Sequence, residues 1–108
     1  DALETKSMGT VSSMPPELFV NDRPSLTTKV DVYAFGILLW IMCKGELPFD
    51  GLEPPQIVVM VATGRGDLTL PPDVPTELQS VYRDCTARLP GARLPFDKVI
   101  PSLLAIYQ

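Results

Sequence analysis

Residues 28 to 43, Thr-Lys-Val-Asp-Val-Tyr-Ala-Phe-Gly-Ile-Leu-Leu-Trp-Ile-Met-Cys, constrain the chain more than any other stretch. A surface helix normally carries one apolar stripe. Here Val30, Val32, Tyr33, Phe35, Ile37, Leu38, Leu39, Trp40, Ile41 and Met42 cover the whole circumference of a helix. The run falls short of the roughly 18 apolar residues that suggest a membrane span. The expectation is a buried central helix wrapped by other protein, with Thr27 or Thr28 as its cap and Gly45 at its end.

Composition narrows the function. The 108 residues carry a net charge of −4 and no basic block, so there is no electrostatic footprint for nucleic acid or an anionic membrane. Histidine is absent. Its absence removes the usual general base, the common Ser-His and Cys-His nucleophile pairs and the commonest metal ligand. Cys43 and Cys85 each sit in an apolar helical pattern and read as reduced core thiols of an intracellular, cytoplasmic protein. The first six residues lack the layout of a signal peptide.

The rest of the pattern is helical. Pro16 to Val20 suits a short turn of helix, and Asn21-Asp22-Arg23-Pro24 a turn. Pro48-Phe49-Asp50-Gly51 is a second turn. From Pro54 or Pro55 a helix runs to Ala62 and stops at Gly64, although its β-branched residues also suit a strand. Thr76-Glu77-Leu78-Gln79 fits a capping box for a helix that buries Leu78, Val81, Tyr82 and Cys85. A last helix starts near Pro95, with Phe96, Val99, Ile100, Leu103, Leu104 and Tyr107 as its apolar face and Pro101 as a source of bending. The expected fold is all-α, about four to five helices around the central one.

Five blocks in order carry a family resemblance. They are Gly9-Thr10-Val11-Ser12-Ser13-Met14-Pro15-Pro16-Glu17, the central helix from Thr28 to Trp40, Gly45-Glu46-Leu47-Pro48-Phe49, Leu78 through Cys85, and Pro90 through Phe96. Together they resemble the helical C-terminal lobe of a eukaryotic protein kinase, picked up within its activation segment. The Gly-Thr before Met-Pro-Pro-Glu is closest in type to the tyrosine-kinase-like serine/threonine group. The resemblance divides the chain at residue 17. Residues 1–17 form the end of the activation segment and the substrate-binding loop, and residues 18–108 the helical subdomain.

The resemblance also implies roles. Glu17 and Arg93 form a structural ion pair tying the substrate loop to the helices. Thr10, Val11, Ser12, Ser13 and Met14 form the substrate loop, with Val11 to Met14 taking the residue after the phosphoacceptor. Asp31 matches the central-helix acid that holds the catalytic loop, and equally reads as a first-turn acid favouring the helix dipole. Thr5 and Ser7 fall where activation-segment phosphorylation is common.

The sequence departs from the family's pattern at several places. Pro15 replaces an alanine, Ser13 stands where an aromatic is frequent, Thr86 takes the place usually held by tryptophan after Cys85, and Leu94 replaces a proline.

The family's catalytic parts have no counterpart in these residues. The glycine-rich loop, the strand lysine, the His-Arg-Asp triplet and the metal-binding Asp-Phe-Gly are all missing from the sequence. No catalytic or metal residue is therefore assigned, and no cofactor belongs to this chain; ATP and magnesium are expected only for an intact parent kinase. The expected partners are the remainder of the parent domain or a second copy docking on the central helix, and a protein substrate, with neither nucleic acid nor membrane. The leading reading is the substrate-docking helical part of a serine/threonine kinase. The alternative is a non-catalytic, pseudokinase-like interaction module.

Overall fold

A computed structural model describes residues 11–20 and 27–106. Among these residues the structure is helical and has no strand. The helices are α1 (Glu17–Val20), α2 (Thr28–Lys44), α3 (Pro54–Ala62), α4 (Thr76–Cys85) and α5 (Phe96–Ile106), with a 3-10 turn at Pro90–Ala92. The turn expected at Asn21 to Pro24 lies outside the described residues.

Helix α2 is delimited by local chemistry. The Thr27 side chain accepts the Lys29 N–H at 3.2 Å, which satisfies one of the orphan donors of the first turn. At the other end Gly45 adopts φ 76° and donates its N–H to the Ile41 carbonyl. A side chain there would be strained, so glycine closes the helix. Asp31 in the first turn and Lys44 in the last both suit the helix dipole.

Two apolar clusters form around α2. Val32, Val81, Cys85 and Val99 meet where α2, α4 and α5 converge, with Phe35, Leu94, Leu103 and Ile106 packed on them. Leu39, Trp40 and Tyr82 form the second, backed by Leu68, Leu70 and Leu78. The polar tips of its aromatics are satisfied by backbone: Trp40 Nε1 donates to the Thr69 carbonyl at 2.9 Å, and the Tyr82 hydroxyl to Leu68 at 2.7 Å. These bonds fasten the segment before α4 onto the core. Cys85 is fully buried, and burial pushes its thiol up to about 11, which makes it inert.

The described residues leave part of α2 uncovered, as expected where its wrapping comes from other protein: Leu38 is 50% exposed and Met42 71%, because α4 and α5 cover other faces. Two sequence expectations are corrected. The capping box at Thr76 does not form. Pro75 is the N-cap, Thr76 lies inside the helix, and Gln79 turns its amide back to the Val74 carbonyl at 2.9 Å. A true box residue pair lies at α3 instead, where Glu53 N–H donates to Gln56 Oε1 at 2.8 Å. Lastly, α5 buries a narrower face than expected. Val99 is buried and Leu103 and Ile106 pack on the core, whereas Phe96, Ile100 and Leu104 face out. Tyr107 lies outside the described residues. The helix continues through Pro101, which cannot supply the N–H that the Asp97 carbonyl would otherwise accept.

The ambiguity at residues 54–62 resolves as helix. Pro54 and Pro55 are tolerated in a first turn, Ile57 and Val61 share one buried edge, and Gly64 ends the element at φ 76°.

Gly36 sets how closely α2 and α4 approach. A Cβ there would overlap the Thr86 methyl and lie 3.0 Å from Cys85 Cβ. Thr86 cannot rotate away freely, since its hydroxyl donates to the Tyr82 carbonyl at 2.9 Å. Gly36→Ala should therefore destabilise the protein by about 1–3 kcal/mol in urea unfolding, although alanine favours helix by about 1 kcal/mol. Adding Thr86→Ser, which removes the methyl and keeps the hydroxyl, should recover part of the loss. A stabilised Gly36→Ala variant would contradict this packing.

Candidate functional site

Among the residues that the sequence singles out, Arg93 is met by Glu17. Arg93 follows the 3-10 turn, which brings its backbone beside the start of α2, and the residue is only 2% exposed. Guanidinium carries five N–H donors and no acceptor, so a buried arginine must find five oxygens. All five are found. Nη1 and Nη2 each reach a Glu17 carboxylate oxygen at 2.8 Å, a two-pronged ion pair. The second hydrogen of Nη1 goes to the Lys29 carbonyl at 3.1 Å and that of Nη2 to Arg88 at 3.2 Å. Nε donates to the Ala87 carbonyl at 2.7 Å. The Tyr33 ring lies 5.0 Å away beneath the guanidinium carbon, a cation–π distance.

One side chain thus holds together α1, the first turn of α2 and the segment after α4. Lys29 closes the arrangement from the other side, its Nζ donating to the Arg93 carbonyl at 2.6 Å. Glu17, 7% exposed, opens α1 immediately after the buried Pro15 and Pro16. Burial alone would push its carboxyl up. Hydrogen bonds from Arg93 and from its own backbone, with the arginine's charge, outweigh that and hold it below its ordinary value. Tyr33 moves the other way: burial raises its phenol despite the opposing charge of Arg93.

The remaining singled-out residues fall as follows. Ser12 is buried and Val11, Ser13 and Met14 are half-buried just before α1, where Met14 N–H turns back to the Val11 carbonyl. Asp31 is exposed on α2 and is not brought to the Glu17–Arg93 centre. Thr10, Thr5 and Ser7 lie outside the described residues. Among the described residues no group of histidine, cysteine and acidic side chains could hold a metal ion, and no helix is long and apolar enough to cross a membrane.

Sequence reasoning missed Arg88, Lys29 and Tyr33 as parts of this centre. Arg88 donates through Nη1 to the Val61 carbonyl at 2.9 Å and through Nη2 to Ala62, capping the C-terminus of α3. Because the Arg88 and Ala87 carbonyls are themselves held by Arg93, α3 is linked through this segment to Glu17. No signal in the sequence pattern marks Arg88, because its acceptors are backbone carbonyls distant in the chain.

Comparison with known proteins shows the family. The family profile described as protein tyrosine and serine/threonine kinase matches residues 2–103. The chain is 38% identical over 96 residues to a probable serine/threonine-protein kinase of Dictyostelium discoideum, which covers 89% of this chain and 10% of that protein. A serine/threonine/tyrosine-protein kinase of Arabidopsis thaliana is 35% identical over 97 residues, 90% of this chain and 24% of its own length. The human mixed lineage kinase domain-like protein is 35% identical over 75 residues, 69% of this chain and 16% of its own. The chain belongs to the protein tyrosine and serine/threonine kinase family, and its helices are those of the kinase C-lobe. It spans between a tenth and a quarter of the length of these relatives.

Removing the guanidinium strands a buried carboxylate. Arg93→Ala should cost about 3–5 kcal/mol, against under about 1 kcal/mol for an exposed pair, so a thermal shift near zero would contradict the geometry. The pH dependence has a definite sign. Because Glu17 is lowered in the folded state, its contribution is complete above its ordinary value of 4.5 and is lost as pH falls through the lowered native value. Glu17→Gln should be less stable than the parent chain at neutral pH and should narrow that gap on acidification, as read by urea unfolding across the acid range. A gap that is constant with pH would refute the lowered carboxyl.

Proposed function

We propose that these residues are the substrate-docking, helical part of a kinase domain whose parent transfers the γ-phosphate of ATP to protein serine and threonine hydroxyls. In this reading Val11 to Met14 form the loop that seats the residue beside the phosphoacceptor, and the Glu17–Arg93 pair fixes that loop on the helices. The observation that carries it is the fully satisfied Arg93, which spends a buried charge on holding the end of this loop. Phosphoryl transfer needs nucleotide, metal and hydroxyl positioned together. The 108 residues supply no glycine-rich phosphate loop, His-Arg-Asp or Asp-Phe-Gly motif. The chain alone is therefore proposed to be silent, with ATP and magnesium bound only in the intact parent.

The direct test compares the parent polypeptide with the chain. The parent should label serine and threonine of a protein substrate from γ-labelled ATP, and the chain alone should neither label it nor bind MgATP in a calorimetric titration. Micromolar nucleotide binding by the chain would overturn the proposed silence. A parent that binds no nucleotide and transfers nothing would favour the non-catalytic interaction module instead.

A docking role for α2 rests on a separate observation. Leu38 and Met42 lie one helical turn apart and both are exposed, an apolar patch on α2. The proposed occupant is the remainder of the kinase domain, or a second copy when the chain is studied alone. Sedimentation of the chain at high micromolar concentration should reveal self-association that Leu38→Glu with Met42→Glu abolishes. A clean monomer for the unsubstituted chain would refute it.

A further inference from the structure

The C-terminus of α3 is closed from outside the helix. The last carbonyls of a helix lack an intrahelical N–H and must be met by other donors. Thr63 and Arg65 donate their N–H groups to the Val59 and Met60 carbonyls at 3.0 Å each. Gly64, turned to φ 76°, reaches the Val61 carbonyl at 3.3 Å. No backbone N–H among the described residues reaches the Ala62 carbonyl. Its donor is Arg88 Nη2, while Arg88 Nη1 holds the Val61 carbonyl at 2.9 Å. The helix dipole also favours a cation at this end.

The same arginine faces two ways. Its side chain holds α3, and its own carbonyl accepts Arg93 Nη2 at 3.2 Å, beside the Ala87 carbonyl that accepts Nε at 2.7 Å. The position of residues 87 and 88 therefore helps decide where the Arg93 guanidinium lies. That guanidinium grips Glu17 through both Nη atoms, and only Pro15 and Pro16 separate Glu17 from Met14. Where the end of α3 meets the start of α1, a gap of about 270 Å³ opens, lined by Pro16, Val61, Gly64 and Arg88 among others. Side-chain packing does not close this junction, and the hydrogen bonds of Arg88 cross it.

We propose that Arg88 is a positioning residue for the substrate loop. By capping α3 it holds residues 87 and 88, and through Arg93 and Glu17 these set where residues 11–14 lie. This role rests on the reading of those residues as the loop that seats the peptide. It makes the end of α3 part of the loop's support without requiring α3 to touch the peptide.

Arg88 is exposed, so its replacement leaves the core intact. The Glu17 carboxyl reports on the Arg93 fork, because hydrogen bonding and charge from Arg93 hold it below its ordinary value of 4.5. In the full chain Arg88→Gln should bring the Glu17 titration, followed by carboxyl-carbon NMR, up towards that value. It should also shift the Met14 and Leu18 amides, whose N–H groups bond to Val11 and Pro15 and not to Arg88. Arg88→Lys keeps the charge but loses the planar fork that spans two carbonyls, and should move both signals in the same direction by less. Lost stability alone would leave the native Glu17 titration where it is. An unmoved Glu17, or amide shifts confined to α3 and its neighbours in sequence, would overturn the proposal. Full restoration by Arg88→Lys would do the same, since charge alone would then account for the effect. In the parent kinase Arg88→Gln should raise the KM for a peptide about fivefold and leave kcat unchanged. A fall in kcat at unchanged peptide KM would overturn it too. The NMR titration needs no phosphoryl transfer, so its failure is distinct from that of the kinase reading, which a parent that transfers nothing would sink.

Discussion

The described structure depends on a buried guanidinium whose every donor is used. The buried charge of Arg93 must be compensated in place or the fold around it fails. Glu17 supplies the charge, and the carbonyls of Lys29, Ala87 and Arg88 supply the remaining acceptors. These come from three separate parts of the chain. A hydrophobic core alone would hold α2, α4 and α5 together. It would not specify where the loop before α1 must end, and the directional fork of the arginine does.

This division of labour connects the packing to the family assignment. The apolar clusters build a helical platform, with Gly36 setting its spacing and Trp40 and Tyr82 fastening the loop before α4. The polar centre then ties the loop that precedes α1 to that platform. Arg88 extends the tie to α3, since its guanidinium holds the Val61 carbonyl while its own carbonyl is held by Arg93. In the proposed reading such a loop must be held firmly, because peptide positioning tolerates little slack.

Legibility in the sequence follows the range of the interactions. The start and end of α2 and the end of α3 could be read from Thr27, Gly45 and Gly64, since each acts on its own few residues. The Glu17–Arg93 pair was reached through five ordered blocks of resemblance, not through spacing, for the partners lie 76 positions apart. Where local rules competed, the reading slipped. Pro75 took the cap of α4 from Thr76 because its ring already fixes the backbone, and Gln79 found the Val74 carbonyl instead. On α5 the apolar positions outnumber those the core can receive, so periodicity overstated the buried face. Arg88 left no trace in the pattern, because its acceptors are backbone carbonyls 26 and 27 positions away.

A double-mutant cycle on Glu17→Gln and Arg93→Gln, measured by urea unfolding at neutral pH, tests the central claim most directly. Residues that share one buried network should be strongly non-additive, with a coupling energy above about 1 kcal/mol. Additive losses within about 0.3 kcal/mol would show that the two side chains act independently, and would contradict an arginine that organises the site.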